Sequence, residues 1–189
     1  AVVHGDLHFR HLLVRDGALA GELHTDMHEV IGHASGRQAA GFKGTPHEAI
    51  KEFYSALEEG RADLIALYFL ADPKLVELGI VPAADHENIV RTEYESYTRN
   101  ALVQLRRVRE GTQIEEDHMR NRQMIVRWLM ANTKAIEERT RDGKTYLVMV
   151  DPRAFREGVG RLLLRNRGLL AGDVGIGAFV GQGLLLVVL

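Results

Sequence analysis

Between Thr45 and Asp72 the chain reads TPHEAIKEFYSALEEGRADLIALYFLAD, and this run constrains the fold more than any other. Thr45-Pro46-His47-Glu48 has the form of a capping box with proline at the first helical position. Ile50, Phe53, Tyr54, Leu57, Leu64, Ile65 and Leu67 follow near helical spacing, which predicts one long amphipathic helix to about Leu70. Asp72-Pro73 ends it, because proline has no amide proton to give the preceding turn. A second long helix is expected from about His86 to Arg109, closed by Gly111, and a third from about Glu115 to Met130. In ERTRDGKTYLVMV, Asp142-Gly143 lies between polar and apolar runs, which is a hairpin signal. Asp151-Pro152 then opens a short helix, RAFREGVGRLLL. The expected fold is mainly α, a helical lobe over residues 22–167 with a small β-hairpin near 137–150. Trp128 and the Met124, Ile125, Leu129 stripe belong in its core.

Composition excludes several functions. Net charge is −2 with the two signs interleaved, so no basic face for nucleic acid stands out. The 46% hydrophobic content supports a packed core rather than a disordered chain. There is no cysteine, which removes disulfides, thiolate zinc sites and cysteine nucleophiles, and a cytoplasmic chain is the simplest reading. The two ends, residues 1–21 and 168–189, differ from the body. AVVHGDLHFRH lacks the basic region and apolar run of a signal peptide. From Val174 onward sixteen residues carry no charge, fewer than the ~20 of a membrane helix and rich in glycine. They read as a poorly formed tail, so no membrane partner is expected.

The chemistry gathers in HEVIGH, His28 to His33. The common zinc-peptidase helix carries H-E-x-x-H, two histidines four apart with a glutamate base between them. Here the histidines are five apart. On a regular helix that leaves them about 140° apart around the axis, so they cannot share one ion. A π-bulge at Ile31-Gly32 would realign them, and glycine tolerates such a distortion. A catalytic zinc also needs a third protein ligand. LEEGRAD, Leu57 to Asp63, offers Glu58, Glu59 and Asp63 beside an otherwise apolar helix face. Taken alone these acids could form a solvated network with Arg61. Gly60 should cost ~1 kcal/mol in a helix interior and loosen the turn that holds Glu59. His24, four before His28, reads as a polar neighbour more than a ligand, and His47 and His86 look ordinary.

HEVIGH followed by LEEGRAD and HMRNR resembles the zinc peptidases of the dipeptidyl peptidase III family, of bacterial type, over about residues 22 to 165. That family carries H-E-x-x-G-H, then E-E-x-R-x-E/D, then a motif like HMRNR. The resemblance implies Zn2+ held by His28, His33 and Glu59, with Glu58 and Asp63 orienting the histidines. It implies Glu29 as the catalytic base and His118 as the group stabilising the transition state. It implies Arg122 as the residue that binds the substrate's C-terminal carboxylate. The implied reaction is release of dipeptides from the N-termini of short peptides. The family is two-lobed and longer than this chain, so a second lobe would have to complete the cleft. A non-catalytic zinc-binding fragment is the first rival reading.

A second rival comes from VVHGDLHFRH, which resembles the H-G-D-x-H-x-x-N catalytic loop of aminoglycoside phosphotransferases. Asp6 would be its base. His11 stands where that loop has its magnesium-binding asparagine, and the next metal-binding aspartate would fall near His24, where it is missing. With no glycine-rich loop or paired lysine for ATP, a junction of unrelated sequences accounts for the segment better than a kinase does. Residues 1–21 could also form a strand or hairpin around Asp16-Gly17.

Overall fold

The computed structural model describes residues 17–35, 41, 43–108, 114 and 116–170, with side chains as far as residue 165. The readings of Asp6, His11, Gly111 and the apolar tail fall outside these residues. Residues 17–26 are α-helical and pass without a break into a π-helix over Met27–His33, the two parts forming helix α1. Gly17 is therefore helical and not the turn of a hairpin. The expected bulge is present but longer than Ile31-Gly32, because the wide i→i+5 winding takes in the whole of HEVIGH.

The capping box at Thr45 forms as its sequence predicts. Glu48 N donates to Thr45 Oγ1 at 3.2 Å and Thr45 N donates to Glu48 Oε2 at 2.8 Å. The long helix expected from it is interrupted, however. Helix α2 covers Pro46–Ile50, one 3-10 turn covers Lys51–Phe53, and α3 covers Tyr54–Leu70. The break falls at Lys51, whose φ of 49° no right-handed helix accommodates. Helix α4 (Lys74–Glu77) follows, then α5 (His86–Val103), which tightens into a 3-10 turn at Gln104–Arg107. Next come α6 (Asp117–Asn132), strands β1 (Ile136–Arg141) and β2 (Lys144–Met149), and α7 (Pro152–Leu170).

The strands pair antiparallel, Arg141 opposite Lys144, around an Asp142-Gly143 turn with φ of 52° and 69°. Positive φ at both central residues is what the type I′ two-residue hairpin loop requires. Asp151 caps α7, its Oδ1 accepting from Arg153 N at 2.9 Å and Ala154 N at 3.1 Å. That helix runs well past the expected Leu164. Phe155, Val159 and Leu162 stand at helical spacing and are buried, the face that packs it on the lobe.

Helix α3 is the axis of the lobe. It packs against α1, α6 and α7, and Leu57, Leu70 and every residue from Gly60 to Leu67 are buried. The expected amphipathic stripe is thus absent over residues 60–67, where the three neighbouring helices leave no solvent face to keep polar. Arg61 and Asp63 lie in this buried stretch, where a charge persists only if paired. Two glycines set the approach of the neighbours. A Cβ on Gly32 would stand 2.8 Å from Ala62 Cα and Cβ, so the π-turn of α1 rests directly on the α3 backbone. A Cβ on Gly60 would meet Met124 Cε at 3.0 Å and Asn121 Cβ at 3.4 Å. Gly60 therefore admits α6, and the turn that carries Glu59 stays helical.

On the far side, Tyr94 stacks on Phe155 with ring centroids 4.1 Å apart and donates to Leu67 O at 2.9 Å. Met124, Ile125 and Leu129 are buried as expected, whereas Trp128 is half-buried with Arg161 Cζ 5.6 Å from its ring. Its bulk spans the core edge and a cation covers its outer face. Among the described residues no helix is long and apolar enough to cross a membrane.

Candidate metal centre

A π-turn adds one residue to each turn, so side chains five apart return to the same face of the helix. In α1 this brings His28 and His33 together, their Nε2 atoms 3.1 Å apart and their rings edge to face. Because Gly32 seats the turn on Ala62, both imidazoles lie over the α3 turn that carries Glu58, Glu59 and Asp63. Glu59 Oε2 is 3.0 Å from His28 Nε2 and 3.6 Å from His33 Nε2.

The opposite edges of the two rings face carboxylates. His28 Nδ1 lies 2.7 Å from Asp63 Oδ1 and His33 Nδ1 lies 3.2 Å from Glu58 Oε1. Glu58 is also gripped by the Arg61 guanidinium, which reaches on to Ser35 O at 2.9 Å and Ser35 Oγ at 3.0 Å. Burial works against the charge of Glu58, but its bonds from Arg61 and His33 prevail and hold its pKa below the ordinary value.

These contacts decide where the imidazole protons sit. An ionised carboxylate only accepts, so Asp63 and Glu58 each take an N–H from the Nδ1 they face. A neutral imidazole then carries its lone pair on Nε2. Two such lone pairs and the Glu59 oxygen meet at one point and repel unless positive charge stands among them. Protons or a metal ion can supply it, and the hydrogen bond to Asp63 raises the proton affinity of His28 against the opposing effect of burial. The donor set fits a metal. Ligands about 2.0–2.1 Å from a tetrahedral zinc stand roughly 3.3 Å apart, close to the 3.0, 3.1 and 3.6 Å found here.

Two further groups border the cluster on its open side. Glu29 is exposed, and one of its carboxylate oxygens lies within 4.8 Å of ligand atoms of His28 and His33. His118, in the first turn of α6, is half-exposed with Nδ1 3.5 Å from Glu59 Oε2. Glu116 holds that turn by accepting from His118 N at 3.1 Å and Met119 N at 2.9 Å. Arg122, one turn further along, points into the interior, with Cζ 4.7 Å from the centre of the Tyr97 ring.

Beneath the cluster lies a polar floor that sequence reasoning did not assemble. Asp63 accepts from Tyr97 Oη at 2.7 Å and stands 3.2 Å from His24 Nε2. His24 Nδ1 is 3.0 Å from Glu93 Oε1, though too bent to count as a hydrogen bond, and its ring stacks on Tyr97. His24, Asp63 and Glu93 are all buried. Burial opposes a charge on His24, but the bond to Asp63 and the nearby Glu93 carboxylate outweigh it and push its pKa up to about 9. Burial pushes the Asp63 carboxyl up, but its bonds from His24, His28 and Tyr97 prevail and hold it well below the usual carboxylate range. The spacing of His24 four residues before His28 could have signalled a shared face. Glu93 and Tyr97 carry only their own i,i+4 spacing on α5, which says nothing of α1.

The model of peptidase family M49 matches residues 41–165, two thirds of the chain, starting beyond HEVIGH. No curated protein matches. Among solved structures the chain is similar to DPP III from Caldithrix abyssi, with a TM-score of 0.61 and 22% identity. The similarity covers 82% of this chain and 27% of that one, so the chain spans about a quarter of the length of the protein whose fold it shares. With the family match running through LEEGRAD and HMRNR, and the fold agreeing around them, the chain belongs to peptidase family M49.

Proposed function

We propose that this chain carries the metal centre of a zinc-dependent dipeptidyl peptidase of the DPP III type, which releases dipeptides from the N-termini of short peptides. The observation that carries the reading is the meeting of His28 Nε2, His33 Nε2 and Glu59 Oε2 within 3.6 Å, with both Nδ1 atoms turned onto carboxylates. His28, His33 and Glu59 would hold the ion, and two imidazoles with one carboxylate is a zinc-peptidase donor set. A zinc ion bound there supplies Lewis acidity, polarising a carbonyl and acidifying water.

The chain's own residues do the rest. Asp63 and Glu58 keep the Nδ1 protons in place, so the Nε2 lone pairs face inward. The Glu29 carboxylate, on the open side, takes a proton from the attacking water and returns it to the leaving amine. His118 offers an N–H to the oxygen on which negative charge develops. Arg122, whose fork suits the substrate's C-terminal carboxylate, would turn out from over the Tyr97 ring to reach it. A second lobe would complete the cleft, since the chain spans 27% of the DPP III chain it resembles. The cytoplasm is the compartment we propose, because a chain without cysteine gains nothing from an oxidising one.

The test is hydrolysis of a dipeptidyl chromogenic substrate by the zinc-loaded chain. Turnover should fall by at least ~100-fold in Glu29→Gln while zinc stays bound. Turnover that survives the substitution contradicts the assignment. Zinc binding without any turnover gives the chain the alternative role, a metal-binding unit that works only with its second lobe.

A further inference from the structure

Asp63 is a junction. It is 3% exposed, and its two oxygens face three partners from two other helices, α1 and α5. Oδ1 meets His28 Nδ1 at 2.7 Å and His24 Nε2 at 3.2 Å, and Oδ2 accepts from Tyr97 Oη at 2.7 Å. A carboxylate held at one oxygen can still swing about its Cβ–Cγ bond, whereas one held at both cannot. The direction of the His28 ring is therefore no better defined than the hydrogen bond on the far oxygen of Asp63.

Resting on the metal-centre reading above, we propose that Tyr97, with His24 beside it, is a positioning residue that locks Asp63 and through it aims His28 at the metal. Tyr97 is built for this. Its ring stacks on the His24 imidazole, 5.8 Å away and nearly parallel, and the Arg122 guanidinium lies over it, 4.7 Å from its centre. The ring is 1% exposed, so its hydroxyl has no water to turn to. Burial, reinforced by the charge of Asp63, keeps that hydroxyl protonated far above its ordinary pKa, so it is a permanent donor. Tyr97 also ties α5 and α6 to the ligand helix, since its ring meets His24 of α1 and lies under Arg122 of α6. Loosening Tyr97 should thus disturb the metal before it disturbs the fold.

Tyr97→Phe tests this in the full chain. It removes one hydroxyl and keeps the ring that stacks on His24 and Arg122. Partners that orient metal-binding histidines typically change metal affinity by 10–100-fold. The expected result is zinc affinity about tenfold weaker, a shifted visible absorption band of the Co2+-substituted chain, and unchanged helix content by circular dichroism. His24→Gln, which can still present an N–H to Asp63, should lose less affinity than His24→Leu. Zinc affinity and a cobalt spectrum equal to those of the unaltered chain would overturn the proposal, whatever happens to the melting temperature. A Tyr97→Phe chain that cannot fold without metal also counts against it, because the residue is then structural. If the unaltered chain binds no zinc, the metal-centre reading itself fails, which is a different result.

Discussion

The two proposed histidine ligands are held by the same kind of bond in opposite surroundings. His28 rests on Asp63, on a floor where Asp63, His24 and Glu93 are all buried. His33 rests on Glu58 at the mouth, where the two side chains keep 30% and 18% of their exposure. On the floor each charge must be matched, because water cannot screen a mismatch. At the mouth the pair is softened by solvent, and Arg61 supplies a second hold. The floor should therefore govern both stability and metal affinity, and the mouth mainly affinity.

The sharpest way to break this contrast is Asp63→Asn. It leaves His24 and His28 facing a neutral group in the interior, and removing one partner of a buried ion pair costs about 3–5 kcal/mol. Urea unfolding of the metal-free chain reads this directly. A loss below about 1 kcal/mol, the value for exposed pairs, would place floor and mouth on the same footing.

Gly32→Ala comes next. The added methyl would stand 2.8 Å from Ala62 Cα and Cβ, so the π-turn must lift from α3. Overpacking of this kind costs about 1–3 kcal/mol, and here it should also draw His33 from His28 and weaken zinc binding. Stability lost without affinity lost would show that the π-turn does not set the spacing of the two rings.

The pH dependence of the metal-free chain separates the floor's acid from its base. The pKa of His24 is raised from 6.5 to about 9, so its stabilisation is whole below 6.5 and is lost as the pH rises through 9. Asp63 is depressed, so its contribution is whole above the ordinary carboxylate range and is lost on acidification. Thermal melts should show stability declining between pH 6.5 and 9, and His24→Gln should flatten that decline. The smallest effect on stability is expected from His33→Gln in the metal-free chain, which leaves Glu58 paired with Arg61 and should cost about 1 kcal/mol or less in the same melts.

The same division explains what the amino-acid sequence discloses. The mouth is local, and its five-residue histidine spacing already demands a widened turn, which the π-helix Met27–His33 supplies. The hairpin at Asp142-Gly143 and the capping box at Thr45 are legible for the same reason, since a few adjacent residues dictate them. The floor is tertiary. Glu93 and Tyr97 reach it from α5, some thirty residues beyond Asp63, and nothing near them in the chain marks them out. Nor does local pattern disclose that α3 is buried throughout residues 60–67, which is why Arg61 and the acids, taken alone, could be read as a solvated network. The break at Lys51 has no glycine or proline to announce it.

Zinc titration of the full chain against its ligand variants tests the central claim most directly. One zinc should bind per chain at neutral pH, and His28→Ala, His33→Ala and Glu59→Ala should each abolish that binding. A chain that takes up no zinc, or whose zinc survives all three substitutions, contradicts the account.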